Sequence, residues 1–336
     1  VRLSDSAWLA ECDVVVIGAG FAGLRAAQLL RESGKSVLVL EARDRVGGRT
    51  MAEVHNGFAW DVGGQWLAPP HAQPRIAALA QRYKVERVAQ YDAGKTVIEA
   101  GQQRYEADGT YPAAFNVALD KLDEMAKEIK EPLRAFENPK ARELDSQTVE
   151  AWTRAAFAPE LKVTSAHTGL RGLLAAEPAE VSLLFYLAFV RAGGGLAMLG
   201  GTADGGQAHK VAGSAWAISE HMHRELGARV VRLNSPVVAI EQRRVDGRGD
   251  ACVSGADAAD VKRSGKQQDP VRVTVRTAGG GAVTARRCIS TLPPPLLARV
   301  RFAPPLPTLH DQLVQRMPMG AVIKCLAFYD EVRSVN

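Results

Sequence analysis

The glycines at 18, 20 and 23, in the run GAGFAG, constrain this chain more than any other feature. They follow residues 13–17 (DVVVI), a short β-branched apolar run that reads as a buried parallel strand. Residues 21–33 carry apolar side chains at helical spacing and stop at Gly34, a natural C-terminal cap. Residues 36–40 (SVLVL) form a second buried strand, so the opening is β-α-β. In that setting Gly18 permits the tight turn, Gly20 lets the backbone approach a pyrophosphate, and Gly23 allows close helix–strand packing. The helix N-terminus turns its N–H groups and positive dipole end toward phosphate. Glu41 ends the second strand, where a carboxylate accepts hydrogen bonds from a ribose. The pattern says dinucleotide, but not which one.

The next residues narrow the choice. Residues 41–50 (EARDRVGGRT) run on as a loop rich in Gly and Arg. Gly47 and Gly48 admit the backbone to a second close contact, and guanidinium groups pair with diphosphate. A nicotinamide enzyme has no need of this second loop.

The remainder is consistent with a large soluble core. The chain has 336 residues, 46% of them hydrophobic, enough for two interleaved domains. The formal charge of +5 is scattered with no long basic run, so nucleic acid is not an expected partner. Cys12, Cys252, Cys288 and Cys325 form no CxxC pair, which fits a reducing, cytoplasmic setting better than a disulfide framework. His221 and His223 stand two residues apart and cannot share a helical face, and no metal site is expected. The apolar stretch 181–190 is shorter than the roughly 20 residues that span a bilayer and reads as a buried helix. No signal peptide or membrane segment is expected in this chain.

The middle of the chain, 120–176, reads as helices, and 180–191 as one more helix closed by glycines 193–195. From 229 the pattern returns to strands: ARVVRL, SPVVAIEQ and later VRVTVRT. Residues 243–270 between the last two are polar and Gly-containing, and read as a long hairpin connection. It holds an RGD tripeptide at 248–250, which this charged composition makes a chance occurrence. The expected division is a dinucleotide-binding part at 1–75, a mainly helical part at 76–210, a return to the first domain at 211–300, and a last part at 301–336.

The segment 13–50 resembles the flavin monoamine oxidase family of FAD-dependent amine oxidases, and the likeness continues in ordered blocks. Residues 61–66 (DVGGQW) resemble the family loop that passes the flavin ring, and 180–187 its substrate-domain helix. Residues 205–207 (GGQ) resemble its substrate-side segment, 235–237 the strand whose valine touches the adenine, and 289–294 and 317–325 two late blocks. The resemblance implies an α/β fold, with a Rossmann-type FAD-binding domain interleaved with a substrate domain of helices and mixed β-sheet. It implies FAD contacts from Gly18, Ala19, Gly20, Gly23, Glu41, Ala42, Arg43, Gly48, Arg49, Gly63, Gly64, Gln65, Trp66 and Val237. Lys324 matches the family lysine that holds a water against the flavin, and it lies in the apolar, strand-like run AVIKCLAFY, where a lysine must be paired, hydrated or functional. Gln207 matches a substrate-pocket amide.

The implied reaction is FAD-dependent oxidation of an amine to an imine, with O2 reduced to H2O2. Small amine and O2 are then the partners, and a homodimer or a complementing C-terminal chain is the protein assembly left open. The late flavin-binding segment, the aromatic pair above the flavin and the cysteine that some members attach to it have no counterpart here. Glycines 200 and 201 stand where relatives carry bulkier residues, which should widen a substrate path. A related flavin oxidoreductase of the L-amino-acid oxidase or desaturase type and a non-catalytic FAD-binding subunit are the alternative readings. A nicotinamide dehydrogenase is a third.

Overall fold

The computed structural model describes residues 8–100, 103–107, 113–157, 165–244 and 271–329. The connection expected at 243–270 lies, from 245 on, outside the described residues, as do the RGD tripeptide and Cys252.

The chain opens with β1 (Leu9–Ile17), α1 (Phe21–Glu32) and β2 (Val37–Leu40). A hairpin follows, β3 (Ala52–His55) and β4 (Phe58–Asp61), turning through Asn56 at φ 51° and Gly57 at φ 79°. Asn-Gly is the favoured pair for so tight a reversal because both positions need positive φ. Next come α2 (Pro74–Arg82), β5 (Arg87–Ala89) and the hairpin β6 (Thr96–Ala100) and β7 (Gln103–Ala107). The helical stretch contains α3 (Ala113–Lys127), α4 (Ala141–Asp145), α5 (Val149–Ala156), α6 (Ser165–Leu174), α7 (Leu183–Ala192) and α8 (Leu196–Gly200). After β8 (His209–Val211) and α9 (Trp216–Leu226) the chain forms β9 (Val231–Arg232), β10 (Val237–Arg244), β11 (Val271–Thr277) and β12 (Ala282–Ser290). It closes with α10 (Pro294–Leu297), β13 (Arg301–Ala303) and α11 (Thr308–Arg316).

Two compact units result. The first comprises Val1–Gln65, Arg82–Val85 and Ala212–Met319, and the second Trp66–Gln81, Glu86–Val211 and Gly320–Asn336. The first unit is built on a seven-stranded mixed sheet in the order β13-β10-β11-β12-β1-β2-β9. β1 lies parallel to both β2 and β12, and Ile17 is in register with Leu40 on one side and Ser290 on the other. That register sets the ends of three strands side by side, so Gly18, Glu41 and Thr291 begin their loops at one edge. Val15, Ile17, Leu40, Val275 and Val283 form the core against the sheet, each burial stabilising by about 1.5–3 kcal/mol.

In the second unit α3, α4, α5, α6 and α7 pack around Leu122, Val149, Leu170, Leu183, Tyr186 and Leu187. The apolar stretch 181–190 is a buried helix, as expected. It begins at Leu183 and not at 180 because Ser182 caps it, its hydroxyl accepting the Phe185 N–H at 3.3 Å. Pro178–Glu180 forms a separate 3-10 turn with its own capping box.

Candidate cofactor site

The Gly-rich turn is locked from beneath. Gly18 has φ 99°, and a Cβ there would sit 2.6 Å from the Thr291 hydroxyl oxygen. That hydroxyl donates to the Ile17 carbonyl at 2.8 Å, and Gly18 N–H donates to Leu40 O at 2.8 Å. A Cβ on Gly23 would fall 1.9 Å from the Gly18 carbonyl oxygen, so α1 can approach the strand this closely only with glycine. Gly20 caps α1 without a side chain, and no acidic residue occupies the first turn. The turn therefore offers backbone N–H groups and a positive dipole end to an anion.

Glu41 is 8% exposed. Its Oε2 accepts the Ala19 N–H at 2.7 Å and its Oε1 the Arg43 N–H at 3.0 Å. A carboxylate has about four acceptor positions, so each oxygen keeps one for a pair of ribose hydroxyls. The Glu41 backbone also ties β9 and the segment that follows it into place. Glu41 N–H donates to Arg232 O at 2.9 Å, Ser235 N–H to Glu41 O at 2.7 Å, and Asn234 N–H to Arg43 O at 2.9 Å. The half-buried Val237 follows two residues after Ser235, at the start of β10.

The loop after Glu41 folds back on the Gly-rich turn. Gly47 N–H donates to Ala19 O at 2.9 Å, and a Cβ on Gly48 would lie 3.4 Å from the Gly20 Cα. Ala42, Arg43 and Arg49 are exposed, and Arg43 Nη1 donates to Gly48 O at 3.1 Å. Arg45, absent from the expected contacts, is the half-buried clamp of this loop. Its guanidinium donates to the carbonyls of Val46, Gly48 and Thr50 at 3.1–3.2 Å. Three arginines within seven residues give no sequence signal for which one turns inward. Gly63 and Gly64 close the cradle, with Gly64 N–H donating to Arg49 O at 3.1 Å and Gly63 N–H to Met51 O at 3.3 Å. Gln65 is half-buried and ends this part of the first unit.

The sequence-predicted residues divide between the units. Gly18, Ala19, Gly20, Gly23, Glu41, Ala42, Arg43, Gly48, Arg49, Gly63, Gly64, Gln65 and Val237 lie in the first, while Trp66, Gln207 and Lys324 lie in the second. Trp66 is 43% exposed, and its indole N–H donates to Gln90 Oε1 at 3.0 Å. Gln207 is half-buried, its backbone N–H donating to Gly201 O at 3.0 Å. The strand-like setting of Lys324 is not found. Residues 317–329 form neither helix nor strand, all of 321–329 are exposed, and this stretch joins no sheet among the described residues. An apolar run becomes a strand only when a neighbour takes up its backbone groups. Ala321 N–H donates to the carbonyl of Ala175, the residue after α6, at 2.8 Å.

Glycines 200 and 201 also behave differently from each other. A Cβ on Gly201 would meet the Ala197 carbonyl oxygen at 2.6 Å, so this glycine serves backbone packing and not a wider path. Around Gly200 nothing lies within 4 Å of that position. Among the described residues no helix is long and apolar enough to cross a membrane.

A Gly-rich β-α-β turn, a buried carboxylate at the second strand end and a second Gly/Arg loop folded onto the first define a dinucleotide-binding α/β protein of the flavin type. The chain matches the model of the flavin containing amine oxidoreductase family over residues 21–333, and it belongs to that family. The family's members are oxidoreductases, and their cofactor is FAD. The match sets the nicotinamide reading aside. Among curated relatives, a probable flavin-containing monoamine oxidase A from Dictyostelium discoideum is 30% identical over 331 residues, covering 95% of this chain and 65% of that protein. Amine oxidase [flavin-containing] A from Bos taurus is 36% identical, covering 95% of this chain and 56% of the relative. Among solved structures, cyclohexylamine oxidase from Brevibacterium oxydans superposes with a TM-score of 0.77 at 27% identity, covering 90% of this chain and 63% of that one. Putrescine oxidase bound to putrescine gives 0.74 at 28%, covering 91% and 64%. The chain thus spans less than two thirds of the length of these relatives.

Proposed function

We propose that the first unit holds FAD and that the protein oxidises an amine. The observation that carries the cofactor assignment is Glu41. It is a buried carboxylate with two backbone N–H partners and no cationic partner among the described residues. A buried carboxylate with spare acceptor positions is costly unless something polar fills them, and ribose hydroxyls have the matching chemistry. In this reading the turn at Gly18, Ala19, Gly20 and Gly23 takes the diphosphate, with the exposed Arg43 and Arg49 adding charge. Val237 borders the adenine, and Gly63, Gly64, Gln65 and Trp66 serve the flavin end. Gln207 and Lys324 belong to the substrate side, Lys324 as the holder of a water.

When bound, FAD supplies the two-electron acceptor and passes the electrons to O2, which becomes H2O2. The amine loses two electrons and two protons to become an imine, and water hydrolyses the imine to a carbonyl compound plus ammonia or a smaller amine. The chemistry named for the structural relatives, oxidation of putrescine and of cyclohexylamine, supports a small amine as substrate class. Anaerobic addition of primary and secondary amines to the FAD-loaded protein tests the reading. Bleaching of the flavin bands, reversed by air with release of H2O2, is the expected result. Bands that persist with every amine would overturn it in favour of a non-catalytic FAD-binding subunit.

A further inference from the structure

Outside the expected contacts, the first unit carries a continuous polar chain that ends on the same peptide as the Gly-rich turn. Asp61 closes β4, and its Oδ1 accepts the Ser214 hydroxyl at 2.5 Å and the Ala215 N–H at 3.1 Å. Ser214 is 2% exposed and holds φ 91°, a left-handed conformation that a serine keeps only when its surroundings enforce it. Its hydroxyl oxygen accepts the Trp216 N–H at 3.0 Å, which fixes the first turn of α9. The Trp216 indole N–H then donates to Val46 O at 2.9 Å. A Cβ on Gly47 would lie 2.4 Å from the Trp216 ring, so the indole rests directly on Gly47 in the second loop.

Val46 C=O and Gly47 N–H are two ends of one planar peptide. Trp216 holds the carbonyl end, while the N–H end donates to Ala19 O. Ala19 N–H in turn donates to Glu41 Oε2. We propose that Asp61, Ser214 and Trp216 are positioning residues for the cofactor: through the Val46–Gly47 peptide they set where the Gly-rich turn and the Glu41 carboxylate stand. None of the three needs to touch the dinucleotide. The proposal rests on the FAD assignment made above and adds the residues that hold its site in shape.

The test is equilibrium FAD binding to the 336-residue chain, followed by flavin fluorescence, beside the thermal midpoint of the apoprotein. Trp216→Phe keeps an aromatic ring at this position but removes the N–H and the pyrrole edge that faces Gly47. It should raise the FAD Kd by about three- to tenfold, the scale of one lost neutral hydrogen bond, with the apoprotein midpoint close to wild type. Asp61→Ala should act in the same direction. Asp61→Asn, whose amide oxygen can accept the same two bonds, should restore most of the affinity. An unchanged Kd in Trp216→Phe and Asp61→Ala, with or without a lowered midpoint, would make these residues purely structural and overturn the proposal. Failure of the wild-type chain to bind FAD would instead contradict the cofactor assignment, so the two claims fail by different results.

Discussion

The Ala19 backbone N–H lies 2.7 Å from Glu41 Oε2, which ties the middle of the Gly-rich turn to the carboxylate at the end of the second strand. The bond makes the two halves of the dinucleotide signature one object. A carboxylate that holds the turn in shape also fixes the direction in which its remaining lone pairs point.

Glu41→Ala should therefore weaken FAD retention more than loss of a ribose contact alone, because the turn loses its anchor as well. A hydrogen bond to a charged group contributes about 1.5–3 kcal/mol, so the FAD Kd should rise by roughly ten- to a hundredfold. Flavin content after dialysis and a fluorescence titration would check it. Retention at the wild-type level would remove Glu41 from the site.

In the second unit, His167 is 7% exposed and its Nε2 lies 2.8 Å from the Thr153 hydroxyl oxygen. The same hydroxyl lies within hydrogen-bond distance of the Val149 and Glu150 carbonyls at 3.0 and 2.9 Å, and the imidazole tautomer decides which partner donates across the Thr153–His167 pair. Burial, and next the positive charge of Arg171, push the imidazole below its ordinary value of 6.5, outweighing the opposing pull of Glu150 and Glu177. The unfolded chain then binds this proton at a higher pH than the folded one, so stability falls as pH drops from the ordinary value toward the depressed one. Denaturant unfolding at pH 7.5 and pH 5 should show that loss, and His167→Gln should reduce it. An identical pH dependence in the variant would show that other groups set it.

Glycines 200 and 201 give a paired prediction. Gly201→Ala should destabilise the protein, since its Cβ would press on the Ala197 carbonyl oxygen. Gly200→Ala should be tolerated, because the space around it is open. Gly200→Leu should leave FAD affinity unchanged while raising KM for bulky amines, if that space belongs to the substrate path. Equal thermal midpoints for the two alanine variants would contradict the first part.

For Lys324, a fall in turnover of about 10² is expected in Lys324→Met, with FAD content unchanged, on the scale of a positioned proton-transfer group. Stopped-flow reduction and reoxidation would read it directly. Wild-type rates would leave Lys324 without a catalytic part.

Much of this was legible in the residues. The β-α-β opening follows from a β-branched run, a helix-spaced run and the glycines between them, and the helix at 183–192 follows from its unbroken apolar stretch. β12 was less legible, since Arg286 and Arg287 interrupt its apolar pattern; both are exposed, while the strand still pairs with β1 through the centre of the sheet. The run around Lys324 misled for a different reason. Apolar composition marks what a strand would bury, whereas only a neighbouring strand decides whether one forms. The roles of Trp216 and Asp61 were not legible because they rest on contacts between distant segments, and a separation of 170 positions between Trp216 and Val46 leaves no local pattern.

The measurement closest to the central claim is a titration of the apoprotein with FAD, with NAD and ADP offered as competitors. The account predicts saturable one-to-one binding of FAD that quenches or shifts its fluorescence, partial competition by ADP through the shared adenosine half, and weak competition by NAD. Absence of FAD binding by the wild-type chain, or displacement of FAD by NAD at equal concentration, would contradict it.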